Sequence, residues 1–259
     1  MSLPPVDWTL PGLAPWRVAG APAWQAVQGT SVARALDALA PAEGPRFVPQ
    51  AELPAGEAYE AFIFRTGRVP TRDNLHDFFN GLVWLAFPRA KRQLNRLQAA
   101  EIARLGIGAT RGPLRDALTL FDENGAVLDA PPAVWDALLA RDWRRLFVEQ
   151  RALWAQARLR VFGHALMEKI LAGHKAATAH VLCGPGTRPS IAVDDAAIAQ
   201  ALDAAHLSAK PFAPLPVFGI PGWHAGNCEP SFYDDRGVFR PRRAATTNND
   251  SGARTRRTA

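Results

Sequence analysis

The segment after Pro70 gathers the residues best suited to chemistry. VPTRDNLHDFFNGL places a guanidinium, an imidazole, a carboxylate and an amide within little more than two helical turns, at Arg72, His76, Asp77 and Asn80. An imidazole beside a carboxylate can act as an acid–base pair or as part of a metal shell. We therefore predict these four as candidate catalytic residues, with His76 as base or ligand. The alternative is helix capping together with a hydrogen-bonded core histidine.

A second histidine–carboxylate pair lies in FGHALMEK. His164 and Glu168 have the i, i+4 spacing that puts both on one face of a helix, where they could bind a metal or activate a water. A zinc site needs further ligands, for which His174, His180 or Asp122 are candidates. The candidate cofactor is thus a divalent metal. The alternative is a hydrogen bond or an ion pair on the helix face.

The third cluster comprises Arg115, Asp116, Asp122, Glu123 and Asn124. It lacks the full calcium-binding loop with a closing glutamate. Asn124-Gly125 between the apolar runs LTLF and AVL predicts a β-hairpin over 117–128. Turn chemistry then accounts for the polar residues without any ligand.

The residues at 72–80 depend on a helix that the sequence predicts to be buried nearly all round. At about 100° per residue, apolar side chains fill almost half of its circumference. They are Leu75, Phe78, Phe79, Leu82, Val83, Leu85 and Ala86. Only Asp77 and Gly81 lie on a strip suited to water. His76 and Asn80, at the edge of the apolar arc, must therefore find hydrogen-bond partners.

The rest of the chain indicates short helices and few strands. Thr71 or Asp73 is expected to cap the central helix, and Pro88 to end or bend it. Further helices are predicted over 31–39, 57–66, 89–104, 133–172 with breaks near 142 and 163, and 194–205. Strands are predicted at 46–49 and 178–182. The fold class is α+β, mainly α: a single globular domain with a small β-hairpin or sheet element and long Pro/Gly-rich loops.

Composition suggests three segments. Residues 1–44 are predicted as a Trp/Pro-rich extended arm with a short helix, which packs its tryptophans onto the body. Residues 45–241 form the globular domain. Within it, the Pro/Gly-rich stretch 211–233 is predicted as a covering loop, with Trp223, Asn227 and Tyr233 as candidate binding residues.

The net charge of +6 is concentrated at the C-terminus. Residues 240–259 hold six arginines and one aspartate, which leaves 24 basic and 23 acidic residues elsewhere. We predict a basic disordered tail at 242–259 that makes weak, nonspecific contact with nucleic acid. The alternative is a solvated terminus, and other partners are not indicated.

Cysteine content and hydropathy suggest the location. Cys183 and Cys228 have no metal-site or disulfide-framework spacing, which suits reduced thiols. The N-terminus lacks a basic region followed by an apolar run, and no stretch has the ~18 apolar residues of a membrane span. A cytoplasmic protein, soluble and not bound to a membrane, is expected.

Four long motifs resemble a known family. In chain order they are VPTRDNLHDFFNGLVWLAFPRAKRQLN, RGPLRDALTLFDENG, VFGHALMEKIL and FGIPGW. Together they resemble a bacterial family catalogued as a domain of unknown function, number three thousand and twenty-five. The resemblance implies one conserved unit over roughly 45–241. It brings no activity, cofactor or catalytic residue.

The leading hypothesis is a cytoplasmic domain with a polar pocket at the start of the central helix, which would serve an enzyme. Arg72, His76 and Asn80 would line it, and His164, Glu168 and the covering loop would approach it. Metal-assisted or acid–base hydrolysis is the reaction class that these groups favour. The competing hypothesis is a non-catalytic binding or scaffold protein whose buried polar groups are structural.

Overall fold

The computed structural model describes residues 3–106, 112–186 and 189–242, so all but the first residue of the predicted tail lies outside it. The helices are α1 (Arg17–Val27), α2 (Val32–Leu39), α3 (Tyr59–Thr66), α4 (Leu75–Ala86), α5 (Pro88–Leu105), α6 (Pro113–Asn124), α7 (Pro132–Ala140), α8 (His164–Leu171), α9 (Asp195–Ala201) and α10 (Ala204–Ser208). The strands are β1 (Arg46–Pro49), β2 (Arg68–Thr71), β3 (Gly125–Asp129), β4 (Arg158–Val161), β5 (Thr178–Leu182) and β6 (Phe212–Pro216). The chain is a single α+β domain in which helices predominate.

Two small sheets accompany the helices. The larger has the order β4-β3-β5-β6, with β3 antiparallel to β4 and parallel to β5, and β5 antiparallel to β6. The smaller pairs β1 with β2 in parallel. The predicted strands at 46–49 and 178–182 are confirmed. Among the described residues none of the helices combines the length and the apolar character needed to cross a bilayer.

Helix α4 lies at the centre of the core. Phe78, Phe79, Leu82 and Val83 are fully buried, and α2, α5 and α8 pack around the helix. Asp77 and Gly81 are buried as well, so the strip predicted to suit water is enclosed. The residues of this helix that are not buried therefore lie at its two ends.

Three tryptophans of the N-terminal segment pack edge-on against phenylalanines of α4 and its C-cap. Ring centroids are 6.5 Å apart for Trp8–Phe79, 5.4 Å for Trp24–Phe78 and 5.7 Å for Trp16–Phe87. The predicted packing of tryptophans onto the body is confirmed. The predicted extended arm is wrong, because residues 17–27 form α1, whose alanines favour a helix despite Pro22.

The cap of α4 also differs from the prediction. Asn74 Oδ1 accepts from the backbone N–H of Asp77 at 2.7 Å, which is the N-cap bond. Asp73 instead accepts from the N–H of Val32 at 2.7 Å, which ties the start of α2 to the start of α4. Thr71 donates its hydroxyl to the carbonyl of Val69.

The predicted hairpin at 117–128 is wrong. Helix α6 continues to Asn124 and β3 begins at the next residue. Leu114, Leu118 and Phe121 recur at helical spacing and are buried, so burial of a helical face outweighs the Asn-Gly turn signal. The two apolar runs thus belong to a helix and to the strand that follows it.

The breaks predicted near 142 and 163 in the helical region 133–172 are confirmed, but the stretch between them is not an α-helix. Arg141, with φ of 54°, ends α7 in the left-handed region. One π-turn, one 3-10 helix and the edge strand β4 follow before α8 starts. Gly163 allows this last junction: a Cβ there would lie 2.4 Å from the carbonyl oxygen of Glu123 and 2.5 Å from the nitrogen of Asn124. The start of α8 therefore packs directly on the end of α6.

Gly163→Ala should destabilise the protein by about 1–3 kcal/mol, because the added methyl meets backbone that cannot move independently. For a domain of this size that loss lowers the thermal midpoint by about 2–10 °C. Gly29→Ala is the control, because a Cβ at Gly29 has no neighbour within 4 Å. An equal midpoint for the two variants would contradict the close packing of α8 on α6.

Candidate functional site

The start of α4, the start of α8 and the end of α6 meet at one place. His76 is the second residue of α4, His164 is the first residue of α8 and Glu123 is the last but one of α6. Contact between α8 and both other helices holds the three side chains together. The structure thus brings together the two histidines that the sequence placed in separate clusters.

The imidazoles of His76 and His164 face each other through their Nε2 atoms. His164 Nε2 lies 3.0 Å from His76 Nε2, and the ring planes are 84° apart. Glu123 Oε2 lies 3.5 Å from His164 Nε2. Ligand-type atoms of all three residues lie within 4.8 Å of one another. Three donor atoms therefore converge on a common point.

Glu168 contacts the second ring nitrogen of His76, Nδ1. Its Oε1 lies 2.7 Å from His76 Nδ1, so the carboxylate accepts the Nδ1 proton and leaves the Nε2 lone pair facing His164. The predicted pairing of Glu168 with His164 on one helix face is not what the structure shows. The carboxylate fixes the ring of His76 instead.

His164 is buried although one of its two ring nitrogens lacks a hydrogen-bond partner in the described part of the chain. Only 3% of the residue is exposed, and burial lowers the pKa of its imidazole to about 4. At neutral pH the ring is therefore uncharged and able to act as a ligand. Its Nδ1 has no hydrogen-bond partner among the described residues. An unpaired buried polar atom destabilises a fold, which suggests that this residue is kept for function.

A buried ion pair lies beside the histidines. Lys91 Nζ, on the first turn of α5, is 2.5 Å from Asp122 Oδ1 and 2.9 Å from Asn80 Oδ1. Asn80 Nδ2 in turn donates to the Tyr59 hydroxyl at 3.3 Å. Burial alone would raise the pKa of Asp122, but the Lys91 ammonium and the two histidines together outweigh it and lower that pKa. The prediction that His76 and Asn80 would find partners is confirmed.

Charge is unevenly balanced around the histidines. Arg72 and Asp77 pair at 2.9 Å, and the buried lysine–aspartate pair is likewise neutral. Within the described ranges, Glu123 and Glu168 have only histidines at salt-bridge distance. Among the residues that the structure describes, Glu123 and Glu168 thus face the histidines without a full positive charge at salt-bridge distance.

The separations fit a tetrahedral metal. With metal–nitrogen and metal–oxygen bonds of about 2.0–2.2 Å, donor atoms of a tetrahedral site are about 3.3–3.5 Å apart. The 3.0 Å separation lies just below this range, the 3.5 Å separation lies at its upper end, and all three donor atoms are within 4.8 Å of one another. A hydrogen bond between the imidazoles would account for the first distance but would leave Glu123 Oε2 too far away to accept one. A cation among the three atoms gives each of them a partner.

A cavity of about 330 Å³ opens in front of these groups. Tyr59, Glu60 and Arg72 also line it. Burial raises the pKa of the Glu60 carboxyl and of the Tyr59 hydroxyl. The cavity can therefore hold a small substrate that contacts two histidines, a phenol hydroxyl and one guanidinium.

The chain matches the model of a family described as "Protein of unknown function (DUF3025)" over residues 45–243. The chain belongs to this family. No curated protein and no solved structure matched it. The family match therefore assigns no role to the residues of the site in this DUF3025 member. His76, Glu123, His164 and Glu168 all lie within the matched range.

Other predicted site residues lie elsewhere in this DUF3025 protein. Trp223 lines a separate cavity, and Asn227 and Tyr233 form hydrogen bonds within the loop and with Arg151. None of these three lines the histidine cavity. His180 packs against Phe212 and is not part of the convergent group.

Two residues of the site carry signals that sequence reasoning missed. Lys91 shares a buried stripe of α5 with Leu94, although the helix is otherwise rich in exposed basic residues. Glu123 was assigned to a turn, whereas the helical spacing that ends at Phe121 carries the helix past it. For Lys91 the signal is a charged residue on the apolar face of a helix. For Glu123 it is the helical spacing of apolar residues that continues to Phe121.

Lys91→Met should lower the free energy of unfolding by about 3–5 kcal/mol, because it leaves the Asp122 carboxylate buried without its partner. The double variant Lys91→Met/Asp122→Asn should recover part of this loss, since the unpaired charge is gone. Denaturant unfolding of the four proteins in a double-mutant cycle measures the coupling. Additive losses would contradict the ion pair.

His164→Leu should leave the stability of metal-free protein equal or raise it, since removing an unpaired buried polar atom can recover about 1–3 kcal/mol. Thermal unfolding in chelator measures the change. A midpoint several degrees below that of wild type would show that this imidazole is structural.

Proposed function

We propose that this protein is a metal-dependent hydrolase with a zinc-type ion at His76, His164 and Glu123. The observation that carries the proposal is the convergence of His76 Nε2, His164 Nε2 and Glu123 Oε2 on one point. Two histidines and one carboxylate form a ligand set of hydrolytic zinc enzymes, in which the fourth position is left for water or substrate. The cavity in front of the site offers that position.

A zinc-type ion held by His76, His164 and Glu123 would supply the Lewis acidity that activates a water near neutral pH. His164 contributes a neutral imidazole held rigidly at the start of α8. Glu168 holds the Nδ1 proton of His76 and so directs the Nε2 lone pair to the site, the carboxylate–histidine arrangement that tunes many metal centres. Glu168 is thus a positioning residue.

Two further lining residues of the cavity, Arg72 and Tyr59, would orient the substrate. Arg72 uses Nε and Nη2 to contact Asp77, and its Nη1 makes no hydrogen bond among the described residues. The Tyr59 hydroxyl accepts from Asn80 and keeps its own proton available. These two donors favour a substrate with an oxygen-bearing, partly negative group such as an ester, amide or phosphodiester.

We further propose a cytoplasmic location. Cys183 and Cys228 are both free thiols in the structure, which suits a reducing compartment. Their burial differs, since Cys228 is exposed and Cys183 is half-buried.

After removal of metal and reloading with zinc, wild-type protein should retain about one zinc ion per chain. His164→Leu and Glu123→Gln should each bind much less, because either change removes a donor atom. Elemental analysis by mass spectrometry after dialysis measures the metal. His174→Ala is the matched control, since His174 is an exposed histidine outside the site.

A wild type that retains no zinc would contradict the proposal. Retention of iron in preference to zinc would keep the site but contradict the hydrolytic reaction, because the same ligand set serves iron oxygenases. Hydrolysis itself is tested with bis(4-nitrophenyl) phosphate and 4-nitrophenyl acetate before and after removal of zinc.

Glu168→Gln should weaken zinc binding by about 10–100-fold while leaving the three donor atoms in place. Competition with a chromogenic chelator measures the affinity. Equal affinity in the variant would show that Glu168 does not orient His76.

A further inference from the structure

A second cavity lies away from the histidine site and shares no lining residue with it. Its volume is about 640 Å³, within the range of small-molecule pockets. Strand β4, the 3-10 helix before it and the loop that carries Trp223 form its walls. Three arginines line it, Arg151, Arg158 and Arg160, and its described lining residues include no aspartate or glutamate.

Arg160 is the most firmly held of the three. Its Nη1 donates to the carbonyl of Pro15 at 2.9 Å, and its guanidinium lies over the rings of Trp16 at 5.7 Å and Phe87 at 5.9 Å. Burial lowers the pKa of this guanidinium, which nonetheless stays charged at neutral pH. A partly desolvated cation without a carboxylate partner in the described structure gains from an anion in the cavity.

Arg151 is positioned by backbone and amide groups and not by a charge. Nη1 donates to the carbonyl of Asn227 at 3.0 Å, and Nη2 lies 3.5 Å from its Oδ1. Other N–H donors of the guanidinium remain for a ligand. Its helical neighbour Trp154 is buried and donates its indole N–H to Leu146.

Arg158 completes the basic surface. It lies two residues before Arg160, so both side chains leave the same face of β4. Its nearest carboxylate, Asp129, is 4.0 Å away, and 76% of the side chain is exposed. A weak, exposed contact of this kind leaves the guanidinium able to turn towards a ligand.

Aromatic surface accompanies the charge. Trp223 is half-buried, with its ring against Gly12 and the cavity beside it. An indole face next to guanidinium groups suits a flat ring that carries a negative group. Three cations favour a phosphate monoester over a single carboxylate, because the phosphate carries more charge and more acceptor oxygens.

We propose that this cavity binds an aromatic phosphate monoester of mononucleotide size, with its phosphate on Arg151, Arg158 and Arg160 and its ring against Trp223. The site is separate from the proposed metal centre. It gives the protein a ligand-binding function that does not depend on hydrolysis.

Isothermal titration of the full chain with adenosine monophosphate tests this proposal, in chelator so that no metal contributes. Binding should be at least about tenfold tighter than that of adenosine or of inorganic phosphate alone, since each of these lacks one half of the recognition. It should weaken as salt increases. His164→Leu should leave it unchanged, which separates this result from the fate of the metal site.

Arg158→Gln should weaken binding by about tenfold through loss of a charge-assisted contact. Its matched control is Arg144→Gln, because Arg144 is 77% exposed, also has a weak carboxylate contact and lies outside the cavity. Both variants should unfold at the wild-type temperature. Trp223→Leu should weaken the binding of adenosine monophosphate more than the binding of inorganic phosphate.

Three results would overturn the proposal. Adenosine monophosphate that binds no tighter than phosphate would exclude the aromatic half of the site. Equal weakening by Arg144→Gln and Arg158→Gln would show nonspecific attraction to basic surface. Much tighter binding of a short oligoadenylate, lost in Arg158→Gln, would assign the surface to single-stranded nucleic acid instead.

Discussion

Because α4 is enclosed by α2, α5, α8 and the N-terminal tryptophans, polar groups on its first two turns have little water to bind. Asn80 must therefore take its partners from Lys91 and Tyr59, and Asp77 from Arg72. These contacts fix the starts of α3, α4 and α5 relative to one another. The residues around the histidines are held in place by the same burial that stabilises the core.

The same enclosure gives the site its chemistry. His164 is neutral because burial disfavours its charged form, and it faces a second imidazole whose opposite nitrogen is held by a carboxylate. Glu123 then completes three donor atoms around a position that lacks a full positive charge. Without a cation, Glu123 has only a histidine at salt-bridge distance among the described residues. A divalent metal is the simplest species that would pair this carboxylate.

Sequence periodicity predicted α4, its burial and the helices beside it, because each was dictated by local apolar spacing. It predicted His76 and Asn80 as polar residues on a largely buried helix, and it placed His164 on another helix. It could not predict that His76 and His164 meet, since that depends on contact between helices distant in the chain. It misassigned Glu123 because Asn-Gly is a strong local turn signal, and burial of the α6 face overrode it. Long-range packing, and not residue type, supplied the missing part of the site.

Anomalous diffraction from crystals of the zinc-loaded protein would show directly whether these three residues hold a metal. We expect a single strong zinc peak at about 2.0–2.2 Å from His76 Nε2, His164 Nε2 and a carboxylate oxygen of Glu123. Density in the fourth position should face the cavity lined by Arg72. A zinc peak elsewhere, or an empty site in which the two imidazoles keep their 3.0 Å hydrogen-bond distance, would contradict this metal site.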